Sequence, residues 1–195
     1  MRPVTALSPE GDDLLIARAG RGDRPALDEL FRRYRDPAYR VAYRLLGHSD
    51  DALDAVQDGF IKALTHLDGF ERRCTFKTWL LRVVSNAALD LGRQRRRRDE
   101  LSAAVTVRVA VDGGTTPDHA DPGREAEESD LRRALADALQ QIPESQRRTF
   151  VLHVDGGLSY REVADALGIS IGTVMSRLFY ARQKLKGLLA TRVQA

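Results

Sequence analysis

Polar side chains suited to contacting DNA recur at helical spacing near the C-terminal end of the sequence. They lie in or beside a helix that starts near Ser170: Ser170, Thr173, Ser176, Arg177, Tyr180, Arg182 and Lys184. At about 100° per residue, a second face of this helix is apolar: Val174, Leu178, Ala181 and Leu185. Hydroxyl and guanidinium groups bind base edges and phosphates in a major groove, which predicts a DNA-reading helix. The alternative is a helical hairpin with a solvated polar face.

The residues before this helix predict the turn that positions it. Ser159 and Glu162 have the spacing of a capping box, in which each side chain accepts a hydrogen bond from the other residue's backbone amide. Ala164 is small where two helices would cross, and Gly168 follows where a left-handed turn residue is needed. Residues 160–179 are therefore predicted to form a helix-turn-helix.

A long basic helix is predicted over residues 76–98. Its core-facing stripe is apolar: Leu80, Val84, Ala87 and Leu91. Another stripe is largely polar: Trp79, Arg82, Asn86, Asp90, Arg93 and Arg97. Residues 95–98 are four consecutive arginines, so positive charge accumulates at one end, as in a binding site for a nucleic-acid backbone. The alternative is a solvated basic helix end.

The loop before this helix combines aromatic and basic side chains. Phe70 and Phe76 flank Arg72 and Arg73. Unpaired bases stack on aromatic faces while cations bind the phosphates, whereas a reader of duplex DNA has no such need. We therefore interpret this loop as suited to single-stranded DNA.

A third surface is predicted on the helix over residues 51–67. Its buried face is predicted to hold Leu53, Val56, Phe60, Ala63, Leu64 and Leu67. The opposite face carries Asp54, Gln57, Asp58, Ile61, Lys62 and Thr65. An acidic face with an exposed isoleucine is unfavourable for DNA and favourable for a basic protein helix. A solvated acidic face is the alternative.

These elements predict an all-α protein with two small helical domains joined by a flexible linker. The predicted parts are a tail (1–11), a first domain (12–98), the linker (99–129) and a helix-turn-helix domain (130–190). Glycine, proline and acidic residues break the helical pattern of the linker, although its valines alternate from Val105 to Val111 like a strand that would need a partner. Asp23 and Pro25 predict the start of a helix ending near Arg35, and Pro37 is expected to begin a separate segment.

Composition narrows the class of protein. The chain has 195 residues, a net charge of +3 and one cysteine, which excludes an internal disulfide framework and fits a reducing compartment. It has neither an apolar run of bilayer length nor a signal sequence, so we expect a cytoplasmic location without membrane insertion. Four scattered histidines and the lack of metal-ligand spacing argue against an enzyme, and no metal or cofactor is expected.

Three segments together resemble the extracytoplasmic-function group of sigma-70 factors. They are residues 54–63 (DAVQDGFIKA), 76–86 (FKTWLLRVVSN) and 158–168 (LSYREVADALG), which occur in the family's order with a linker where the family has one. The resemblance implies a dissociable transcription initiation factor that gives core RNA polymerase promoter specificity and helps to melt promoter DNA. It also implies an anti-sigma factor as a regulatory partner.

The resemblance assigns roles to matching positions. The third surface, on the helix over residues 51–67, would dock on core RNA polymerase through Asp54, Gln57, Asp58, Phe60, Ile61 and Leu64. The loop and basic helix would bind the −10 element through Phe70, Arg72, Arg73, Phe76, Trp79, Arg82, Asn86, Arg93 and Arg97. The −35 element would be bound through Ser170, Thr173, Ser176, Arg177, Tyr180, Arg182 and Lys184.

Three positions depart from the family pattern. Gly59 stands where a larger residue is usual, and Met175 where a basic residue is usual. Cys74 lies in the 70–76 loop, which by the resemblance captures an unpaired base and which we call the base-capture loop. The competing function is an autonomous helix-turn-helix regulator that binds duplex DNA as a dimer. That alternative leaves the 70–76 loop and the 54–61 helix face without a purpose.

Overall fold

Helices account for most of the backbone that the computed structural model describes, which is residues 11–70, 73–105 and 134–193. In chain order they are α1 (Asp12–Ala19), α2 (Arg24–Leu46), α3 (Ser49–Thr65), α4 (Phe76–Val105), α5 (134–140), α6 (Glu144–Val154), α7 (Tyr160–Leu167) and α8 (Ile171–Val193). A 3-10 turn, Leu67–Gly69, follows α3. The all-α prediction is confirmed; most of the predicted linker lies outside the described residues. We call residues 11–105 the N-terminal block and 134–193 the C-terminal block.

The second helix is longer than predicted. It begins as expected, with the Asp23 carboxylate accepting from the Ala26 amide and Pro25 in the first turn. The prediction that Pro37 starts a separate segment is wrong, because α2 runs unbroken to Leu46 with Pro37 inside it. Proline removes one helical hydrogen bond, and here Ala38, Val41 and other apolar residues after it hold the helix by burial in the core.

The core of the N-terminal block lies where α2, α3 and α4 pack together. Leu80, Leu81 and Val84 of α4 are fully buried in it. Gly59 of α3 faces Val84, and a β-carbon at that glycine would lie only 2.7 Å from Val84 Cγ2. Gly59 therefore permits a close crossing of α3 and α4. The prediction that Leu53 is buried is wrong: its side chain is 57% exposed.

The C-terminal block confirms the predicted helix-turn-helix. The Ser159 hydroxyl accepts from the Glu162 amide, and the Glu162 carboxylate accepts from the Ser159 amide, which completes the capping box. Gly168 ends α7 with a φ of 64°, in the left-handed region that favours glycine. Ser170 then caps α8 by accepting from the Thr173 amide at 3.1 Å.

The basic helix α4 continues past its predicted end at Arg98 as far as Val105. The reason is that no glycine or proline interrupts residues 99–105, which include leucine, alanine and glutamate, all good helix formers. Val105 therefore belongs to a helix, and the rest of the predicted strand pattern lies outside the described residues.

The two blocks pack against each other. One hydrophobic cluster includes Leu30 and Leu81 of the N-terminal block and Leu152 and Leu158 of the C-terminal block. We call the contact of α6 and α7 with α2 and α4 the seam. The sequence did not predict this contact between the two blocks, because helix periodicity cannot reveal contacts between distant segments.

Candidate nucleic-acid and protein interfaces

The predicted duplex-reading residues lie on the outer side of α8. Ser170, Ser176, Tyr180, Arg182 and Lys184 are exposed, while Thr173 and Arg177 are half-buried. The opposite face is buried as predicted, with Val174, Leu178, Ala181 and Leu185 in the core. The burial of that apolar face presents the polar one to solvent, where a major groove could receive it.

Hydroxyl groups at the start of α8 bind one another. The hydroxyls of Ser170 and Thr173 lie 2.9 Å apart, and the Ser176 hydroxyl donates to the Thr173 carbonyl at 3.0 Å. Hydroxyl groups rotate readily and both donate and accept, so they can exchange these local bonds for bonds to bases. The start of the helix is therefore chemically suited to base contacts.

An apolar stripe on α8 was missed by the sequence analysis. Ile171, Met175 and Phe179 are 46%, 55% and 60% exposed, and they recur every fourth residue. Their spacing every fourth residue was a signal in the sequence, but only the buried apolar face of this helix was identified from it. Met175 thus stands beside two other apolar residues, which suits a thymine methyl or a protein surface better than a phosphate.

The predicted −10 face of α4 is covered in part by α6. Arg148 of α6 donates to Asn86 Oδ1 at 2.5 Å, to Ser85 Oγ at 2.9 Å and to the Arg82 carbonyl at 3.4 Å. Arg93, farther along α4, pairs with Glu144 of α6 at 2.5 Å. Arg97 is exposed. Two of the predicted DNA contacts, Asn86 and Arg93, are therefore engaged by the C-terminal block.

Burial, together with a smaller effect of the nearby Arg82, lowers the pKa of the Arg148 guanidinium to about 10. The group still carries its charge at neutral pH. Its hydrogen bonds to Asn86 and Ser85 are charge-assisted, which makes them stronger than bonds between neutral groups. Arg148 is thus a central polar contact of the seam, and no periodicity or motif in the sequence indicates it.

The aromatic residues of the predicted base-capture loop pack into the protein. Phe76 is 2% and Phe70 is 9% exposed, so the prediction that both present stacking faces to bases is wrong in this arrangement. Their ring centroids lie 5.9 Å apart, and Phe76 also packs on Tyr34 at 5.5 Å. Trp79 is half-buried and packs on Phe70 at 5.1 Å. Arg73 is exposed, and Arg72 lies outside the described residues.

The predicted docking face of α3 is largely exposed. Asp54, Gln57, Asp58 and Ile61 face solvent, and Leu64 is half-buried. Asp58 pairs with Lys62 at 2.6 Å, with both side chains about half exposed.

Phe60 was also predicted as a docking contact, and this is wrong: it is 3% exposed because it lies on the core side of α3. Its ring packs against Phe31 of α2 with centroids 4.8 Å apart. Phe31 is 42% exposed, so it adds an apolar ring of α2 to the surface next to α3. No local pattern in the sequence indicates that Phe31 contributes to this surface, because Phe31 and Phe60 are far apart in the chain.

A reactive thiol is disfavoured at Cys74. Burial raises the pKa of this half-buried thiol, which favours the protonated form, whereas the thiolate is the reactive species. No group of His, Cys, Asp and Glu side chains is placed to hold a metal ion in the part of the chain that the structure describes. Within residues 11–70, 73–105 and 134–193, no helix has the length and apolarity needed to cross a membrane.

Comparison with protein families gives two matches, one in each block. The family model for Sigma-70 region 2 matches residues 30–98, and the model for Sigma-70, region 4 matches residues 132–185. The first covers α3 and most of α4, and the second covers the helix-turn-helix.

Several curated proteins match almost the full chain. The ECF RNA polymerase sigma factor SigE of Mycolicibacterium smegmatis is 36% identical over 185 residues, which cover 93% of this chain and 68% of that protein. The RNA polymerase sigma-H factor of Pseudomonas aeruginosa is 31% identical over 181 residues, covering 92% and 94% of the two chains.

Two solved structures share the fold across both blocks. One is CnrH in complex with the cytosolic domain of CnrY, with a TM-score of 0.70, 28% identity and coverage of 93% of this chain and 99% of that one. The other is the sigma factor RpoE in complex with the anti-sigma factor NepR from Bartonella quintana, with a TM-score of 0.63, 26% identity and coverage of 84% and 96%.

Proposed function

The chain belongs to the extracytoplasmic-function group of the sigma-70 family, and from this premise we propose which of its surfaces carries each step of initiation. As a member of this family it is a transcription initiation factor that binds core RNA polymerase and directs it to promoters. The observation that supports the assignment of steps is that three chemically different faces lie on three separate helices, α3, α4 and α8. The chain acts by binding, without bond chemistry of its own.

Recognition of the −35 element falls to α8. Its outer face offers Thr173, Ser176 and Arg177, while its inner face is locked in the core of the C-terminal block. A helix anchored in this way can enter a major groove without losing its own packing. Arg177 is the side chain best able to bind a guanine through two hydrogen bonds.

Recognition of the −10 element falls to α4. Arg82, Asn86, Arg93 and Arg97 project from the side of α4 that does not face the core of the N-terminal block. Amide and guanidinium groups suit the exposed edges of unpaired bases and their phosphates. Because Arg148 and Glu144 contact this face in the packed arrangement, α6 must move away before DNA is bound there.

Docking on core RNA polymerase falls to α3. Asp54, Gln57 and Asp58 supply polar and acidic groups, and Ile61 supplies a 57% exposed apolar side chain at the same face. Acidic groups around a small apolar centre favour a basic helix of a partner over DNA. The half-buried Leu64 and the exposed Phe31 widen the apolar centre.

An anti-sigma factor is the regulatory partner. Support comes from the likeness to CnrH and RpoE, each of which was solved in a complex, across both blocks of this chain. A partner that stabilises the seam would keep the −10 face of α4 covered. It would bind the packed arrangement in preference to the open one, and so shift the population away from polymerase.

The test is run-off transcription with purified core RNA polymerase on a promoter library, with and without the chain. We expect specific transcripts only with the chain present. Ile61→Asp should reduce both transcription and core binding by about tenfold or more, because it places a charge at the apolar centre of the docking face. Asp36→Lys, at an exposed site on α2, is the control and should leave both unchanged.

The alternative function makes a different prediction in the same experiment. An autonomous dimeric regulator would protect duplex DNA tightly by itself, and Ile61→Asp would not affect its binding. Footprinting of the chain alone on the selected promoters distinguishes the two. If the chain protects promoter duplexes tightly without polymerase and does not affect transcription by the core enzyme, the proposed assignment of surfaces is excluded.

A further inference from the structure

A basic cleft of about 310 Å³ lies where the two blocks meet. Residues of α2, α3 and α4 form one side, and residues of α5 and α6 form the other. Four guanidinium groups and three carboxylates line it, and His48 lies at its edge. Its volume is in the lower part of the range for small-molecule sites.

Two of the four guanidinium groups are neutralised by ion pairs. Arg95 pairs with Asp51, and Arg93 pairs with Glu144. The other two, Arg96 and Arg147, have no carboxylate within ion-pair distance among the described residues. Both donate instead to one neutral acceptor, the side-chain oxygen of Gln140. Positive charge from two helices therefore converges on a single amide oxygen.

Arg147 is the more unusual of the two. Its side chain is only 3% exposed, and its Nε donor is buried without a hydrogen-bond partner. Glu144 lies close enough to act electrostatically on the Arg147 charge but forms no ion pair with it, and a buried charge or donor without a direct partner is costly. Burial lowers the pKa of Arg147, and the nearby Arg96 lowers it further, yet a guanidinium remains charged at neutral pH. An anion in the cleft would give the Arg147 charge a direct partner.

We propose that this cleft binds a phosphate group between Arg96 of α4 and Arg147 of α6. The planar fork of a guanidinium matches phosphate oxygens, and two guanidinium groups can clasp one phosphate from opposite sides. The ligand bridges the two blocks, so it stabilises their packed arrangement by binding to that arrangement alone. The cleft shares Arg93 with the proposed −10 surface but neither of the two phosphate-binding arginines, and its test does not require polymerase or a promoter.

The phosphate has two possible sources, a small phosphorylated molecule and the backbone of DNA. The first probe is pyrophosphate, titrated into the full chain at constant ionic strength set with sodium chloride. The reporter is the nuclear magnetic resonance signal of the His48 ring, with His66, which does not line the cleft, as the internal reference. We expect a saturable shift at His48, none at His66, and a thermal midpoint that rises with pyrophosphate concentration.

Variants distinguish specific binding in the cleft from non-specific attraction of pyrophosphate to basic side chains. Because Arg96 is exposed, Arg96→Gln should not affect folding. The substitution should weaken pyrophosphate binding by about tenfold or more. Arg98→Gln removes the same charge from an exposed position outside the cleft, and its affinity should be unchanged. Arg147→Met, which replaces a buried charge with an apolar side chain of similar length, should fold and lose binding.

A second experiment, with an oligonucleotide, identifies the source of the phosphate group. If a short single-stranded oligonucleotide also shifts His48 and displaces pyrophosphate, the phosphate belongs to DNA; if it does neither, the ligand is a small phosphorylated molecule. The proposal is overturned if no probe gives a saturable shift at His48. It is also overturned if Arg98→Gln weakens binding as much as Arg96→Gln.

Discussion

At the scale of single residues, Gly59 determines how closely α3 and α4 approach. Gly59→Ala places a β-carbon 2.7 Å from Val84 Cγ2 and 3.0 Å from Val84 Cα. Backbone atoms cannot rotate away, so overpacking of about 1–3 kcal/mol should exceed the gain of about 1 kcal/mol in helix propensity. We expect a lower free energy of unfolding in urea.

The matched control for Gly59→Ala is Gly187→Ala. Gly187 also lies within a helix, but a β-carbon there meets no atom within 4 Å. This substitution should therefore increase the free energy of unfolding by up to about 1 kcal/mol. Stabilisation by both alanines would contradict the close crossing of α3 and α4.

Arg177 is the residue on which −35 specificity should depend most. Arg177→Ala should weaken binding to a −35 duplex by about 1–3 kcal/mol and relax the preference at one base pair. Lys186→Ala removes the same charge from an exposed position of α8 outside the predicted face. Competition binding with wild-type and scrambled −35 duplexes measures both variants. An equal loss on both duplexes would indicate a phosphate contact rather than base recognition.

At the scale of elements, the capping box of α7 makes stability depend on pH. Hydrogen bonds from the Ser159 amide and hydroxyl hold the pKa of Glu162 below its usual range, and the Thr78 hydroxyl of α4 adds to this. A lowered pKa means that the stabilisation is complete above about pH 4.5 and is lost as the pH falls through the lowered value.

Glu162→Gln should therefore flatten the loss of stability in acid. Glutamine keeps a hydrogen-bond acceptor at this position, so the cost at neutral pH should be only about 0.5 kcal/mol. Unfolding in urea between neutral and acidic pH measures the effect. Asp165→Asn, at an exposed site of the same helix, is the control. If the free energy of unfolding of Glu162→Gln falls in acid as much as that of the wild type, the capping box is not the cause of that loss.

Elements whose signals are local could be predicted from the sequence. The capping box and the left-handed Gly168 depend on residues within one or two turns, and both are confirmed. The orientation of Phe76 could not be predicted, because its ring packs on Tyr34 of a distant helix. The hydrogen bond from Arg148 to Asn86 joins residues 62 positions apart, and no periodicity carries that information.

At the scale of the whole molecule, the seam determines which surfaces are available. Polar contacts join the blocks along α4: Thr78 with Glu162, Asn86 with Arg148, and Arg93 with Glu144. A fourth contact pairs Arg44 of α2 with Asp155 at 3.2 Å. None of these contacts involves the faces on α3 and α8, whereas on the −10 face of α4 the side chains of Asn86 and Arg93 are held by α6. The chain should therefore bind melted DNA poorly until the seam opens.

Arg148→Ala tests this coupling directly. Loss of its bonds to Asn86 and Ser85 should favour the open arrangement and raise the affinity of the isolated chain for a single-stranded −10 oligonucleotide about three- to tenfold. Arg161→Ala removes the same charge from an exposed position on α7 and should weaken binding slightly. Because loss of a cation by itself weakens DNA binding, a gain in Arg148→Ala requires that a covered surface has become exposed. Equal weakening of both variants in fluorescence anisotropy would show that α6 does not restrict access to α4.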